Sequence, residues 1–155
     1  MVLMFAAPAA RSALKDVYPD PAQAKHDLAA ALKAAPAKHK RILLDFGGNW
    51  CGDCHVLDTY FHDPANAPIL NSNFILVEIN VGRYDANLDL AKKYNIPLEK
   101  GVPALAVLSE DGKLIYSQKT GEFEAMSKME SSSVTKFLVQ WREPKHGCSV
   151  MVVNC

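Results

Sequence analysis

The sequence predicts one α/β domain: a central mixed β-sheet flanked by helices, with an extra helix ahead of the first strand. Three observations carry this. The apolar run Ile42–Phe46 is broken by Gly47-Gly48 and followed by Cys51-x-x-Cys54 opening a helical stretch, a strand–turn–helix unit. A second apolar run, Phe74–Val81, follows at the spacing of a parallel βαβ neighbour. Leu105–Leu108 and Leu114–Ser117 flank Glu110-Asp111-Gly112-Lys113 and read as a hairpin. The order is βαβ followed by ββα, with no repeat and no internal linker.

The remaining elements follow in order. Ser12–Asp20 is polar and mixed, interrupted by Pro19 and Pro21. Ala22–Ala35 is alanine-rich with Ala24, Leu28, Ala31 and Leu32 at helical spacing, and Pro36 is expected to stop that helix. The helix after the cysteines should run to about His62, with Val56, Leu57, Tyr60 and Phe61 inward, and end at Asp63-Pro64. Asn66–Asn71 reads as a short helical turn and Asn87–Tyr94 as a short helix closed by Asn95. The last helix is expected over Glu124–Trp141. Domain limits are accordingly an N-terminal tail (1–21), one domain (22–142) and a C-terminal tail (143–155).

Composition bounds the function. The chain has 155 residues, 49% of them hydrophobic, enough for a full core. Seventeen basic side chains balance seventeen acidic ones, which gives no reason to propose nucleic acid or an anionic membrane as partner. Residues 1–41 carry seven Lys/Arg against three Asp/Glu, read as solvated helix-end charge. Val2–Ala10 is apolar and ends in Ala7-Pro8-Ala9, like the small-residue end of an export signal, but it lacks a charged start and its apolar core is short. Two readings stand: the remnant of a trimmed signal, giving a periplasmic or exported protein, or the frayed tail of a cytoplasmic one. Nothing is long enough to insert in a bilayer.

The chemistry is concentrated at the two cysteines. At a helix start, Cys51 meets unpaired backbone N–H groups and the positive end of the helix, which favour thiolate. Cys54 lies one turn further, within reach of a mixed disulfide on Cys51. Asp45 puts a carboxyl on an otherwise apolar strand, where burial should raise its pKa.

Trp50-Cys51-Gly52-Asp53-Cys54, the strand aspartate Asp45 and the pair Val102-Pro103 together resemble the thioredoxin superfamily. The resemblance covers roughly residues 40–141. The longer stretch from Phe61-His62-Asp63-Pro64 to Asn73-Phe74 is most similar in appearance to the exported thioredoxin-like reductases and disulfide isomerases of bacteria. It implies a thioredoxin fold, no bound cofactor, protein disulfides or thiols as substrates, and an upstream redox partner. It further implies Cys51 as nucleophile, Cys54 as resolving thiol, and Asp45 as acceptor of the Cys54 proton through water. Pro103 is implied to be a cis-proline beside the dithiol, with Val102 pairing with substrate backbone and Trp50 walling the site.

Departures from the family pattern sharpen the expectation. Gly52-Asp53 stands where thioredoxins usually have Gly-Pro, and the Asp53 charge opposes a thiolate on Cys51, with His55 offsetting it when protonated. A reducing or isomerising protein is expected, not a strong oxidant. Glu78 falls where thioredoxins often place a lysine, so either Asp45 and Glu78 meet as two carboxyls across neighbouring strands, or Glu78 reaches solvent or a cation and leaves Asp45 alone. Three rival readings compete with this one. Cys51-x-x-Cys54-His55 fits covalent haem attachment, which belongs to a mostly helical fold with a second axial ligand. A zinc site could draw on Cys51, Cys54, His55 or His62 with a tail cysteine, but Cys148 and Cys155 lack matching spacing, so no metal is expected. The third is a thioredoxin fold that binds a partner without turnover.

Overall fold

Strand β1 (Arg41–Gly47) is buried from Ile42 onward and forms the middle of the sheet. The computed structural model describes residues 15–143. Within them the sheet has four strands in the order β2-β1-β3-β4. β2 (Phe74–Asn80) runs parallel to β1, whereas β3 (Ala104–Leu108) runs antiparallel to it and is followed by β4 (Leu114–Ser117). A strand with hydrogen-bonded neighbours on both sides and helices on both faces reads as an unbroken apolar run. In Ile42–Phe46 only Asp45 interrupts that run.

Alternation along β1 divides the core in two. Ile42, Leu44 and Phe46 pack with Val77, Ile79, Ala104 and Ala106 against helix α1 (Ala24–Lys38), whose Ala24, Leu28, Ala31 and Ala35 form its buried stripe. Leu43 packs with Leu105 and Val107 on the other face, under α2 (Gly52–Phe61) and α5 (Ser131–Trp141) through Leu57, Phe61, Phe137 and Leu138. Two short helices, α3 (Ala67–Asn73) and α4 (Leu88–Lys93), frame β2. Phe74 and Met126 are buried, and the side chains of His26 and His39 are exposed.

Three boundaries differ from expectation. α1 does not stop before Pro36 but continues to Lys38. Proline this close to a C-terminus removes one hydrogen bond, and the end is closed instead by His39 in the left-handed region, with Lys40 N–H bonding to the Ala35 carbonyl at 3.2 Å. α5 starts at Ser131, not near Glu124. The intervening stretch is a loop with a single 3-10 turn over Met126–Lys128, because tertiary contacts take its groups: Phe123 and Met126 are drawn into the core, and Ser131 Oγ donates to Asp63 at 3.0 Å. The third difference is at the N-terminus. Val17 and Tyr18 fall in the stretch expected to be a tail, yet Tyr18 is 2% exposed and belongs to the core. The tail expected from residue 143 onward lies outside the described residues apart from Glu143.

Candidate active site

β1 ends at Gly47, and the chain turns through Gly48–Trp50 into α2. Cys51 caps that helix in an extended conformation, and its sulfur accepts the Cys54 N–H at 3.1 Å. Cys51 and Cys54 form a disulfide. Cys51 is 6% exposed while Cys54 is fully buried, so an incoming group can reach the first sulfur and not the second. The Cys51 sulfur also lies 3.5 Å from the Val102 carbonyl. The Val102–Pro103 peptide bond is cis, and Pro103 leads directly into β3.

That approach is held from behind by residues that carried no signal in the sequence. Gln118 is buried just beyond β4; its Oε1 accepts the Leu105 N–H at 2.9 Å and its Nε2 lies 3.5 Å from the Pro103 carbonyl. Gly101 has φ of +102°, and a Cβ there would come within 2.9 Å of Glu124 Cβ, so only glycine fits without strain.

Trp50 is 41% exposed beside the dithiol. Its indole N–H donates to the Gly82 carbonyl, its ring lies 5.5 Å from that of Tyr84, and Arg83 sits over it at 5.8 Å. Tyr84 and Leu88 are exposed as well and open with Leu98 and Gly101 into a shallow groove. An apolar rim therefore runs from Trp50, next to Cys51 in the chain, to Gly101, next to Val102. Tyr84 and Leu88 sit in a polar-looking stretch and were missed for that reason.

Gly52 begins α2 with open space around it. Asp53 does not simply face Cys51: its Oδ1 accepts the Ser127 N–H at 2.6 Å, tying the loop before α5 to the dithiol helix. The His55 ring meets the turn before Cys51, with Nε2 at 2.7 Å from the Asn49 carbonyl.

Asp45 is 1% exposed, paired in register with Glu78 on β2 and Leu105 on β3. Burial pushes its pKa up to about 8; a hydrogen bond from Tyr18 pulls it down, and the charges of Glu78 and Asp58 push it up. Glu78, half-buried, is raised first by burial and then by the Asp58 charge. The two residues are thus register partners, as expected, but burial outweighs the effect of the Glu78 charge at Asp45, and Asp58 rather than Asp45 is the main charge acting on Glu78.

A family model for thioredoxin-like proteins matches residues 23–109, more than half of the chain. The chain belongs to the thioredoxin-like family. The structure of a disulphide isomerase from Xylella fastidiosa is 37% identical with a TM-score of 0.78, the match covering 83% of this chain and 98% of that one. The oxidised C-terminal domain of DsbD from Neisseria meningitidis shares the fold at 22% identity and a TM-score of 0.57, over 81% of this chain and 98% of that one. In sequence, the thiol:disulfide interchange protein DsbD of Pseudomonas fluorescens is 29% identical over 127 residues, which are 77% of this chain and 19% of that protein. A protein disulfide-isomerase from Ricinus communis is 34% identical over 86 residues, 54% of this chain and 16% of its own length. The chain spans less than a quarter of these two curated relatives.

Membership bears on the haem reading. A thioredoxin-like mixed sheet is not the mostly helical fold that haem attachment through Cys51, Cys54 and His55 would need, and the His55 ring is turned to Asn49. Among the described residues, no three metal-binding side chains cluster. Cys148 and Cys155 lie outside the described residues, as does His146. No helix among the described residues is long and apolar enough to cross a membrane.

Proposed function

We propose that this thioredoxin-like protein is a thiol–disulfide oxidoreductase that reduces or isomerises protein disulfides. The observation that carries the reading is the asymmetry of the dithiol: Cys51 at the helix N-terminus, reachable beside the Val102 carbonyl, and Cys54 sealed behind it. In the reduced protein the Cys51 thiolate attacks a substrate disulfide. A bond forms between Cys51 and one substrate sulfur, the substrate S–S bond breaks, and the other substrate sulfur leaves as a thiolate. Cys54, deprotonated, then attacks Cys51; their disulfide forms, and the first substrate sulfur is released as a thiolate that takes a proton from solvent. Asp45 serves as the base for Cys54 in this scheme.

Val102 offers its carbonyl to an extended substrate segment, and Trp50 with the Tyr84–Leu88 rim contacts apolar substrate side chains. Pro103 shapes that approach. Gly52, Asp53, His55 and Glu78 adjust the site without touching substrate. Relatives that carry the names disulphide isomerase and thiol:disulfide interchange protein support this class of reaction. The periplasmic or exported setting and the upstream thiol protein that returns electrons follow from the resemblance of the sequence motifs to exported thioredoxin-like proteins.

Insulin reduction by the reduced protein tests the reading. The parent protein is expected to precipitate the insulin B chain, and Cys51→Ser to lose that activity by at least about a hundredfold. Activity retained in Cys51→Ser removes Cys51 from the chemistry, and a parent protein inactive against all disulfides leaves a binding module.

A further inference from the structure

The N-terminal segment before α1 delivers a hydroxyl to the floor of the dithiol. Tyr18 is 2% exposed, and its O–H donates to Asp45 Oδ1 at 2.9 Å. Side chains alternate along β1, so position 47 faces the same way as Asp45, and Gly47 offers no side chain there. The point a Cβ on Gly47 would occupy lies within 2.8 Å of both the Tyr18 hydroxyl oxygen and the Cys54 sulfur. Hydroxyl and sulfur thus share the space this glycine leaves, and the same hydroxyl is hydrogen-bonded to the Asp45 carboxyl.

The hydroxyl is held there by more than packing. Asn49, in the turn between β1 and α2, accepts the backbone N–H groups of Val17 and Tyr18 on Oδ1 at 2.9 and 2.8 Å and donates from Nδ2 to the Tyr18 carbonyl at 2.8 Å. This side chain mimics a strand partner and fixes Tyr18 to the turn that carries Cys51. A phenol donates one hydrogen bond and accepts others. Tyr18 gives its proton to Asp45, and its lone pairs are free to accept from Cys54 once that sulfur is a thiol.

We propose that Tyr18 is a catalytic residue of the dithiol, passing the Cys54 proton to Asp45 during resolution of the mixed disulfide. The proposal rests on the thiol–disulfide reading above. As the Cys54 S–H proton moves to the Tyr18 oxygen, the phenol proton moves to the Asp45 carboxylate. The Cys54 sulfur bonds to Cys51, the bond from Cys51 to the substrate sulfur breaks, and that sulfur leaves as a thiolate. The phenol is regenerated and never exists as a free phenolate, which its surroundings disfavour. Burial and the charges of Asp45 on β1, Glu78 on β2 and Asp58 on α2 all raise its pKa. Resolution by this route needs Asp45 ionised, so its rate rises with pH toward the Asp45 pKa of about 8.

The test mixes reduced protein with excess glutathione disulfide, quenches with acid, and follows the Cys51–glutathione mixed disulfide by mass against time and pH. In Tyr18→Phe, which keeps the ring, the mixed disulfide should persist at least about tenfold longer. The midpoint of the pH profile should also move upward, because the hydrogen bond that lowers the Asp45 pKa is gone. Added to Asp45→Asn, Tyr18→Phe should have no further effect, since both act on one proton path. A lifetime and midpoint equal to the parent's, or an effect that adds to Asp45→Asn, overturns the proposal. A wild-type measurement stands beside the variants: the Tyr18 Cζ resonance should shift with the Asp45 titration, and its invariance also overturns the proposal. A reduced parent that forms no mixed disulfide brings down the underlying reading instead.

Discussion

Asp53 shows how a residue's charge and its geometry can be separated. Its charge is expected to oppose a thiolate on Cys51, and its carboxylate also anchors the Ser127 N–H. Asp53→Asn keeps an acceptor oxygen and removes the charge. It should therefore raise the thiolate fraction of Cys51, read from ultraviolet thiolate absorbance against pH, and leave the Ser127 amide protected. Asp53→Ala removes both, and the Ser127 amide should exchange several-fold faster, as fits the loss of about 1 kcal/mol. Equal behaviour of the two variants contradicts this separation. The charge could be read from the residue type and its place between the cysteines. The anchoring could not, because Ser127 lies on a loop that periodicity assigns to a helix. Tyr18 was hidden for a similar reason: among charged and proline residues it carries no pattern, and only the fold brings it to Asp45.

At the level of elements, the strand that enters from Pro103 depends on a side chain beyond its partner's end. β4 stops at Ser117, and Gln118 continues the pairing by accepting the Leu105 N–H on its side chain while its own N–H donates to the Leu105 carbonyl at 3.0 Å. Gln118→Leu leaves the Leu105 N–H buried without a partner. It should lower stability by about 1–3 kcal/mol, seen as a lower urea midpoint with an unchanged slope. An unchanged midpoint means that another group satisfies Leu105. The central strands were readable from the sequence because they are buried runs bounded by glycine and proline, and the helix after Cys51 because its register is set by the cap. The end of α1 and the start of α5 were not: the breaker at Pro36 is bypassed by a local cap at His39, and the favourable helical stretch after Glu124 is overridden by contacts distant in sequence.

Across the whole molecule, Asp45 exchanges stability for chemistry. Its carboxyl would ionise near 3.8 when unfolded and ionises at about 8 in the folded protein. Below the first value it is protonated in both states, and above the second it is ionised in both. Between them the folded state holds a proton that the unfolded state has lost, so the Asp45 contribution to stability falls as pH rises through this window and levels off above it. Asp45→Asn retains an acceptor for Tyr18 and has nothing to ionise. It should match the parent near pH 4 and exceed it by several kcal/mol near pH 8, measured by urea unfolding across that range. A pH-independent difference contradicts a buried ionisable role. The family fold was legible in three separated motifs because each is a local solution to a backbone or redox problem. What makes this member individual, the Tyr18–Asn49 brace, the Asp53 anchor and the apolar rim of Tyr84 and Leu88, arises only when distant segments meet.

The division of labour between the two cysteines is tested most directly by trapping. Cys54→Ser, reduced and mixed with a disulfide-bonded protein such as insulin, should accumulate a covalent complex, and peptide mapping should place its single intermolecular disulfide on Cys51. Attack by Cys51 proceeds and resolution does not. A complex that maps elsewhere in the chain, or an equal yield from Cys51→Ser, contradicts the assignment of Cys51 as nucleophile and Cys54 as resolving thiol.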